Sequence, residues 1–561
     1  MSSPSSASVP FSPAPKRFFK TPEGRYDQIH EKTYPASALH CTHSKSVSQL
    51  TIACLKEKPM AEQSQAAPLA SNSGSRSVAS RFLGVANGGR SLSLVVGNSI
   101  GRVALANCRT AGFDEEAVES STSTELPNYG GGGTFLIYNV ADTLFVSDLN
   151  LKEKDPIKAI QFSNSSPVCH AFDAEADDGY DLLLGLHCGD VYLVSLRQQL
   201  QDTGRKMVAA QHYFYYNMDG ATNNRHALHL IHNVTFALRN THHFVEDEHF
   251  NRCICVAWVP GRIGTFVVGH ADGNIYVYEK NKEGTSDSSF PVIKDQTQFS
   301  ISHTRSSKSN PVARWHVCHG PVNSISFSAD GACMATVGRD GCLRVFDFAK
   351  ALLLFGGKSY YGALLCSAWS SDGKYILTGG EDDLVQVWST EEQKIVAWGE
   401  GHNSWISGVA FDSYLQGPNS EEAEQNVVYR FGSVGQDSQL LLWDLAIDEL
   451  VMPLYGPPGG SPTTKSDLSA NGDSISTTGA ILPSPSMSDV PKISPIATQQ
   501  VHLDPLSGLI FTKASLLTVS REGHIKIWRR PGHSDSLKCL SAKNPSFCSS
   551  IARVELQKEC L

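Results

Sequence analysis

Residues 322–347, VNSISFSADGACMATVGRDGCLRVFD, and residues 364–389, LLCSAWSSDGKYILTGGEDDLVQVWS, carry one pattern twice. Phe327 falls on Trp369, Gly331 on Gly373, Asp340 on Asp382 and Phe346 on Trp388, each pair 42 residues apart. A third copy opens as GHNSWISGVAFD at residue 401, with Phe411 42 residues beyond Trp369, and closes as FGSVGQDSQLLLWD. Its Trp443 lies 55 residues beyond Trp388, so about 13 residues are inserted. Within each copy an apolar run, an Asp-Gly turn, a second apolar run, a short acidic turn and an alternating run ending in an aromatic follow one another. Short β-branched and aromatic runs divided by such turns read as antiparallel strands joined by hairpins. Four short strands in about 42 residues make one blade of a β-propeller.

The pattern extends outward in weaker form. Residues 253–279 and 505–530 are clear copies, 156–196 a moderate one and 82–149 a poor but strand-like one. The expected fold is therefore all-β, a seven-bladed propeller over 82–531. Its clear blades are 253–279, 317–347, 359–389, 401–445 and 502–529. Residues 1–81 read as largely disordered, with one N-terminal strand expected to complete the last blade and remove the open sheet edge. The Ser/Pro/Gly-rich stretch 454–500 reads as a disordered insertion, 198–250 as a partly ordered one, and 532–561 as a C-terminal extension.

Composition narrows the function. The 561 residues hold 47 basic and 56 acidic side chains, a net charge of -9. A dedicated nucleic-acid binder would show the opposite balance, so nucleic acid is not an expected partner. The 14 cysteines are scattered and form no CxxC pair. Cys253, Cys255, Cys333 and Cys366 sit in apolar runs where a reduced thiol packs as a small hydrophobe. The sequence shows neither a signal-peptide core nor a run of 18 apolar residues, so no membrane partner is expected and a cytoplasmic or nuclear location is.

His402, Ser433 and Asp437 invite comparison with a hydrolase triad. The spacing speaks against it. Ser433 lies ten and Asp437 six residues before Trp443, and the pattern recurs as Thr378, Asp382 and Trp388, then as Thr336, Asp340 and Phe346. A catalytic set is needed once, whereas a set that recurs blade after blade is scaffold, satisfying buried polar groups with side-chain hydrogen bonds. Glu381-Asp382-Asp383 lacks the clustered carboxylates of a cation site. His226, His229 and His232 lack a cysteine partner or an HExxH setting, and Gly130 to Gly133 lack the Lys-Ser/Thr of a phosphate loop. The sequon at Asn233 would go unused in an intracellular chain. No metal or cofactor is expected.

The Gly-His, Asp-Gly, Asp and Trp signposts resemble the WD-repeat family. The run PVARWHV, SFSADG, GRDGCLRVFDF, KSYYGALLCSAWSSDGKYILTGGEDDLVQVWS, GHNSWISGVAFD and YRFGSVGQDSQLLLWDL is similar to one subfamily of it. That subfamily contains the fungal carbon-catabolite-repression protein creC and animal WD-repeat proteins of the myotonic-dystrophy-locus type. The likeness is strong over 253–445, recognisable over 505–531 and weak before 150, and the family also carries a low-complexity insertion before its last blade. The resemblance implies a non-enzymatic regulatory subunit that binds, stabilises and allosterically activates a ubiquitin-specific protease, with a second WD-repeat protein as a further expected partner. The rival expectation is a general scaffold or a substrate receptor of a ubiquitin ligase. Trp405 and Tyr361 sit among small polar neighbours in loops that open on one propeller face, and these are the expected anchors. Glu381, Asp383 and Gln436 are expected to form the polar rim. Trp315 and Tyr360, near the same loop position in other blades, are expected to pack structurally.

Overall fold

The computed structural model describes residues 17–32, 49–56, 132–149, 155–163, 165–176, 179–202, 204–213, 252–284, 290–415, 428–446 and 479–532. Their strands form seven sheets of four or five strands each, with one additional two-stranded ladder. Numbered in chain order, blade 1 is Leu50–Leu55, Gly133–Val140, Thr143–Asp148 and Lys158–Gln161, and blade 2 is Pro167–Phe172, Leu182–Leu186, Val191–Val194 and Gln211–Tyr213. Blade 3 takes Cys253–Trp258, Thr265–His270, Asn274–Glu279 and Ala313–His316, with Ser300–His303 added outside. Blade 4 is Val322–Phe327, Cys333–Gly338, Cys342–Asp347 and Leu352–Lys358, and blade 5 is Leu364–Trp369, Tyr375–Gly380, Leu384–Ser389 and Lys394–Glu400. Blade 6 is Ile406–Phe411, Val428–Gly435, Gln439–Ala446 and Ala497–Gln500. Blade 7 joins Leu506–Phe511, Ser515–Ser520 and Ile525–Arg529 to Gly24–Lys32 and Phe18–Thr21.

The first strand of each blade lies innermost and touches the first strand of the next, around to Leu50–Leu55 against Leu506–Phe511. Because blades stack face to face, the middle strands are covered on both sides. Leu384–Ser389 is accordingly buried at every position, and Trp388, Trp443 and Trp528 are among the largest fully buried side chains. The seven apolar clusters run between neighbouring blades; one joins Ala335, Val337 and Val345 of blade 4 to Leu364, Ile376 and Trp388 of blade 5. Burying a large apolar side chain in this way contributes about 1.5–3 kcal/mol each. Gly24–Lys32 lies antiparallel to Ile525–Arg529, so the two ends of the chain share blade 7.

Three expectations about boundaries need correction. Residues 1–81 hold more than the one strand expected to complete the last blade: beside Gly24–Lys32 lies Phe18–Thr21, and Leu50–Leu55 is the innermost strand of blade 1. Its alternation was hidden because its partner Gly133–Val140 follows only after a long excursion. The second concerns 454–500, of which 479–500 is built into the ring. There Ile481–Leu482 pairs in parallel with the outer strand of blade 4, Lys492–Ile493 with that of blade 5, and Ala497–Gln500 supplies the outer strand of blade 6. Val490 and Ile493 are its buried anchors, and two-residue ladders leave no periodicity to read. Third, Trp315 is not in a loop; it lies in the strand Ala313–His316, buried against Phe346 and Phe348. Within 198–250, Leu196–Gln201 is a short helix and Gln211–Tyr213 a strand. His226, His229, His232, the Asn233 sequon, Gly130, Gly131, residues 454–478 and residues 533–561 lie outside the described residues.

Candidate partner-binding face

In an antiparallel meander the start of the first strand and the turn between the second and third strands fall at the same end. The register shows it, with Leu364 opposite Gly380 and Ile406 opposite Gly435. Six blades also share a register shift at the start of the first strand, a bulge that bends the chain where the preceding loop arrives.

Blade 6 fixes this loop with a polar chain. The His402 Nε2 is 2.8 Å from Ser433 Oγ and its Nδ1 3.0 Å from Asp437. Trp443 Nε1 donates to Ser433 Oγ at 2.9 Å. Asp437 also accepts from the Asn403 and Gln439 amides at 2.9 and 3.1 Å. Burial pushes the Asp437 carboxyl up, but the hydrogen bond from His402 and those two amides hold it below its ordinary value. A Cβ at Gly435 would sit 2.8 Å from both Asp437 Oδ1 and His402 Nδ1, so only glycine leaves room for the pair. Ser433 is wholly buried beneath the Trp443 indole, which bars a substrate carbonyl from its Oγ. The three side chains have the order of a hydrolase triad and the setting of a structural strut.

The same positions are filled differently elsewhere. Blade 7 repeats the strut without the aspartate: His502 Nε2 is 2.9 Å from Thr518 Oγ1, which accepts from Trp528 Nε1 at 3.0 Å. Burial pushes His502 down to about 3. Blade 5 keeps Thr378, which accepts from Trp388 Nε1 at 2.9 Å, but sets Tyr360 where blade 6 has His402. Its Asp382 accepts from Gln386 Nε2 at 2.6 Å instead. In blade 4 Phe346 has no N–H to offer Thr336, and Asp340 pairs with Arg344 Nη2 at 2.6 Å.

The clamped loop carries Trp405 outward. The Gln436 amide donates to the Trp405 carbonyl at 2.9 Å, while the side chain stays 44% exposed. Tyr361 is 66% exposed at the corresponding loop of blade 5. Tyr360 turns inward and meets Trp398 edge-on at 6.4 Å. Of the expected rim, Glu381 uses its Oε2 to accept from the Ala363 amide at 3.1 Å, which makes it a brace of its own blade. Asp383 holds a positive φ of 58° and lies toward blade 6. Its carboxyl is raised first by burial and then by the neighbouring Asp437 charge.

One exposed residue escaped sequence reasoning. Leu503, 65% exposed, precedes the first strand of blade 7. Ser438 Oγ of blade 6 donates to its carbonyl at 3.2 Å. Leu503 follows His502 as Tyr361 follows Tyr360, so aligning the loops by their first-strand starts would have found it. Tyr361, Trp405 and Leu503 thus form an apolar arc over three consecutive blades. Among the described residues no group of three or more His, Cys, Asp or Glu side chains is arranged to hold a metal ion.

Residues 310–347 and 355–389 match the family model described as WD domain, G-beta repeat. Across an alignment of 440 residues the chain is 27% identical to UBP9-binding protein bun62 of Schizosaccharomyces pombe, covering 71% of this chain and 71% of that one. Among solved structures, a chain from the crystal structure of a mitotic checkpoint complex aligns with a TM-score of 0.41 at 12% identity, covering 70% of this chain and 87% of that chain.

Proposed function

We propose that this chain, a seven-bladed propeller in which residues 310–347 and 355–389 match the WD40 repeat model and which is similar to a UBP9-binding protein, is a non-enzymatic regulatory subunit of a ubiquitin-specific protease. The likeness to a protein named for binding UBP9 is the observation that supports this reading. The arc of Tyr361, Trp405 and Leu503 is its contact surface, with Asp383 and Gln436 on the polar rim. Three rigid or branched apolar side chains on clamped backbone lose little freedom on binding, which is what an interface hot spot needs.

Activation follows if the propeller binds one protease conformation better than another. Only differential affinity shifts such a population, and a preference of a few kcal/mol is enough. A second WD-repeat protein would join the same assembly, in the cytoplasm or nucleus.

Purified chain added to a purified ubiquitin-specific protease should raise the rate of ubiquitin cleavage, whereas the chain alone should cleave nothing. Cleavage by the chain alone, or a rate unaltered by its addition, defeats the reading. Trp405→Ala should weaken protease binding by at least about 2 kcal/mol, and Leu503→Ala by about 1 kcal/mol, measured by calorimetry. Both variants should keep folding stability within about 0.5 kcal/mol of the parent, as surface substitutions do. A well-folded Trp405→Ala protein of unchanged affinity removes Trp405 from the interface.

A further inference from the structure

Blade 3 buries a positive charge that it does not neutralise. Arg314 lies in the strand Ala313–His316, directly opposite Tyr276 on one side and Ser302 on the other, so the three side chains share one face. It is 2% exposed. Its Nη2 donates to the Pro291 carbonyl, and its guanidinium carbon sits 5.4 Å from the centre of the Phe290 ring. Its Nη1 is buried and, among the described residues, has neither a hydrogen-bond partner nor a paired carboxylate. Pro291 and Phe290, the two groups that hold the guanidinium, line a cleft of about 410 Å³ together with Ile301, Ser302, His303 and Arg305. None of these six is acidic.

An ionised group taken out of water without a counter-charge is costly, and a single carbonyl together with an aromatic face offsets only part of that cost. Proteins keep such a group where something else supplies the missing charge. We propose that this cleft on the outer part of blade 3 is an anion-binding site whose ligand is a phosphoryl oxyanion. A guanidinium offers a planar fork of N–H donors that matches phosphate oxygens, and it cannot shed its charge. Arg314 lies behind the Phe290 and Pro291 wall, Ser302 offers a hydroxyl in the lining, and Arg305 and His303 stand exposed, Arg305 as the first charge an incoming anion meets. Blade 3 carries none of the arc of blades 5 to 7, so this site is separate from the protease-binding reading and stands or falls without it.

The test is a thermal-shift and calorimetric titration of the full chain with inorganic phosphate, with O-phosphoserine and with chloride at matched ionic strength. Phosphate should raise the melting temperature above the chloride control. Arg305→Ala should weaken the apparent affinity at least about fivefold, and Arg314→Met should abolish binding, on the scale of a lost charge-assisted hydrogen bond. O-phosphoserine binding more tightly than phosphate assigns the site to a modified side chain, and equal or weaker binding assigns it to the free ion. Stability without any anion separates a ligand site from a strut. Arg314→Met should then be as stable as the parent or more so, because it removes an unpaired buried charge. A clearly less stable Arg314→Met protein, a parent that phosphate shifts no more than chloride does, or an Arg305→Ala protein that responds like the parent each overturns the assignment.

Discussion

Asp382 in blade 5 and Asp437 in blade 6 occupy the same turn, six residues before the tryptophan of their blade, yet one lies beside a tyrosine and the other beside an imidazole. Asp437 gains a His402 hydrogen bond and two amides, which outweigh burial and keep it charged. Asp382 is pushed up to about 6, first by burial, against the pull of the Leu384 and Tyr361 amides and the Gln386 side chain. Burial raises both carboxyls; the imidazole and amides beside Asp437 outweigh it, whereas at Asp382 the deeper burial wins. The repeat conserves a geometry, and each blade settles its electrostatics locally.

The largest test of this contrast is Asp437→Ala. It strips the wholly buried His402 ring of its acceptor and leaves two amides unpaired, and it should cost about 3 kcal/mol in urea unfolding, the scale of breaking a buried pair. Asp382→Ala should cost about half as much, since no buried imidazole is orphaned. Equal costs would break the comparison. The pH dependence sharpens it. Asp382 binds its proton more tightly in the folded chain than at its ordinary value of 3.8, so its contribution is full below pH about 4 and declines as pH rises to about 6. Asp437 behaves oppositely, contributing stability above the ordinary carboxylate range that is lost on acidification. Asp382→Asn should accordingly remove a decline of roughly 1–2 kcal/mol between pH 4 and 6, and urea midpoints across that range would show whether the decline persists. The smallest effect concerns Tyr360, whose buried hydroxyl has no partner among the described residues. Tyr360→Phe should leave stability unchanged or raise it by up to about 0.5 kcal/mol; a marked loss would mean that blade 5 has a polar strut after all.

Blades 4 to 6 were legible because each keeps its aspartate, Asp340, Asp382 or Asp437, six residues ahead of an aromatic. Two kinds of information were not local enough to read. Leu50–Leu55 belongs to a sheet whose next strand begins at Gly133, so it forms no local hairpin that the sequence could show. Lys492–Ile493 contributes two residues to a parallel ladder, too few for any pattern. On the candidate partner-binding face, Trp405 and Tyr361 stood out as aromatics among small polar residues, while Leu503 looked like an ordinary leucine until its loop was laid over theirs. Arg314 stood within PVARWHV with nothing in the sequence to mark it, because what distinguishes it is a counter-charge missing among the described residues, and only the packed structure shows that.

The pairing of Gln28 with Trp528 joins positions 500 residues apart. During synthesis at about 5–20 residues per second, Gly24–Lys32 must wait on the order of half a minute or more for the strand it completes. Until then it can pair with Phe18–Thr21, but the edge that Ile525–Arg529 will take stays open to misjoining with another chain. Closing this pair spans 500 residues and so carries a large loop-closure cost, and the interval before the last strand leaves the ribosome is when the open edge is exposed.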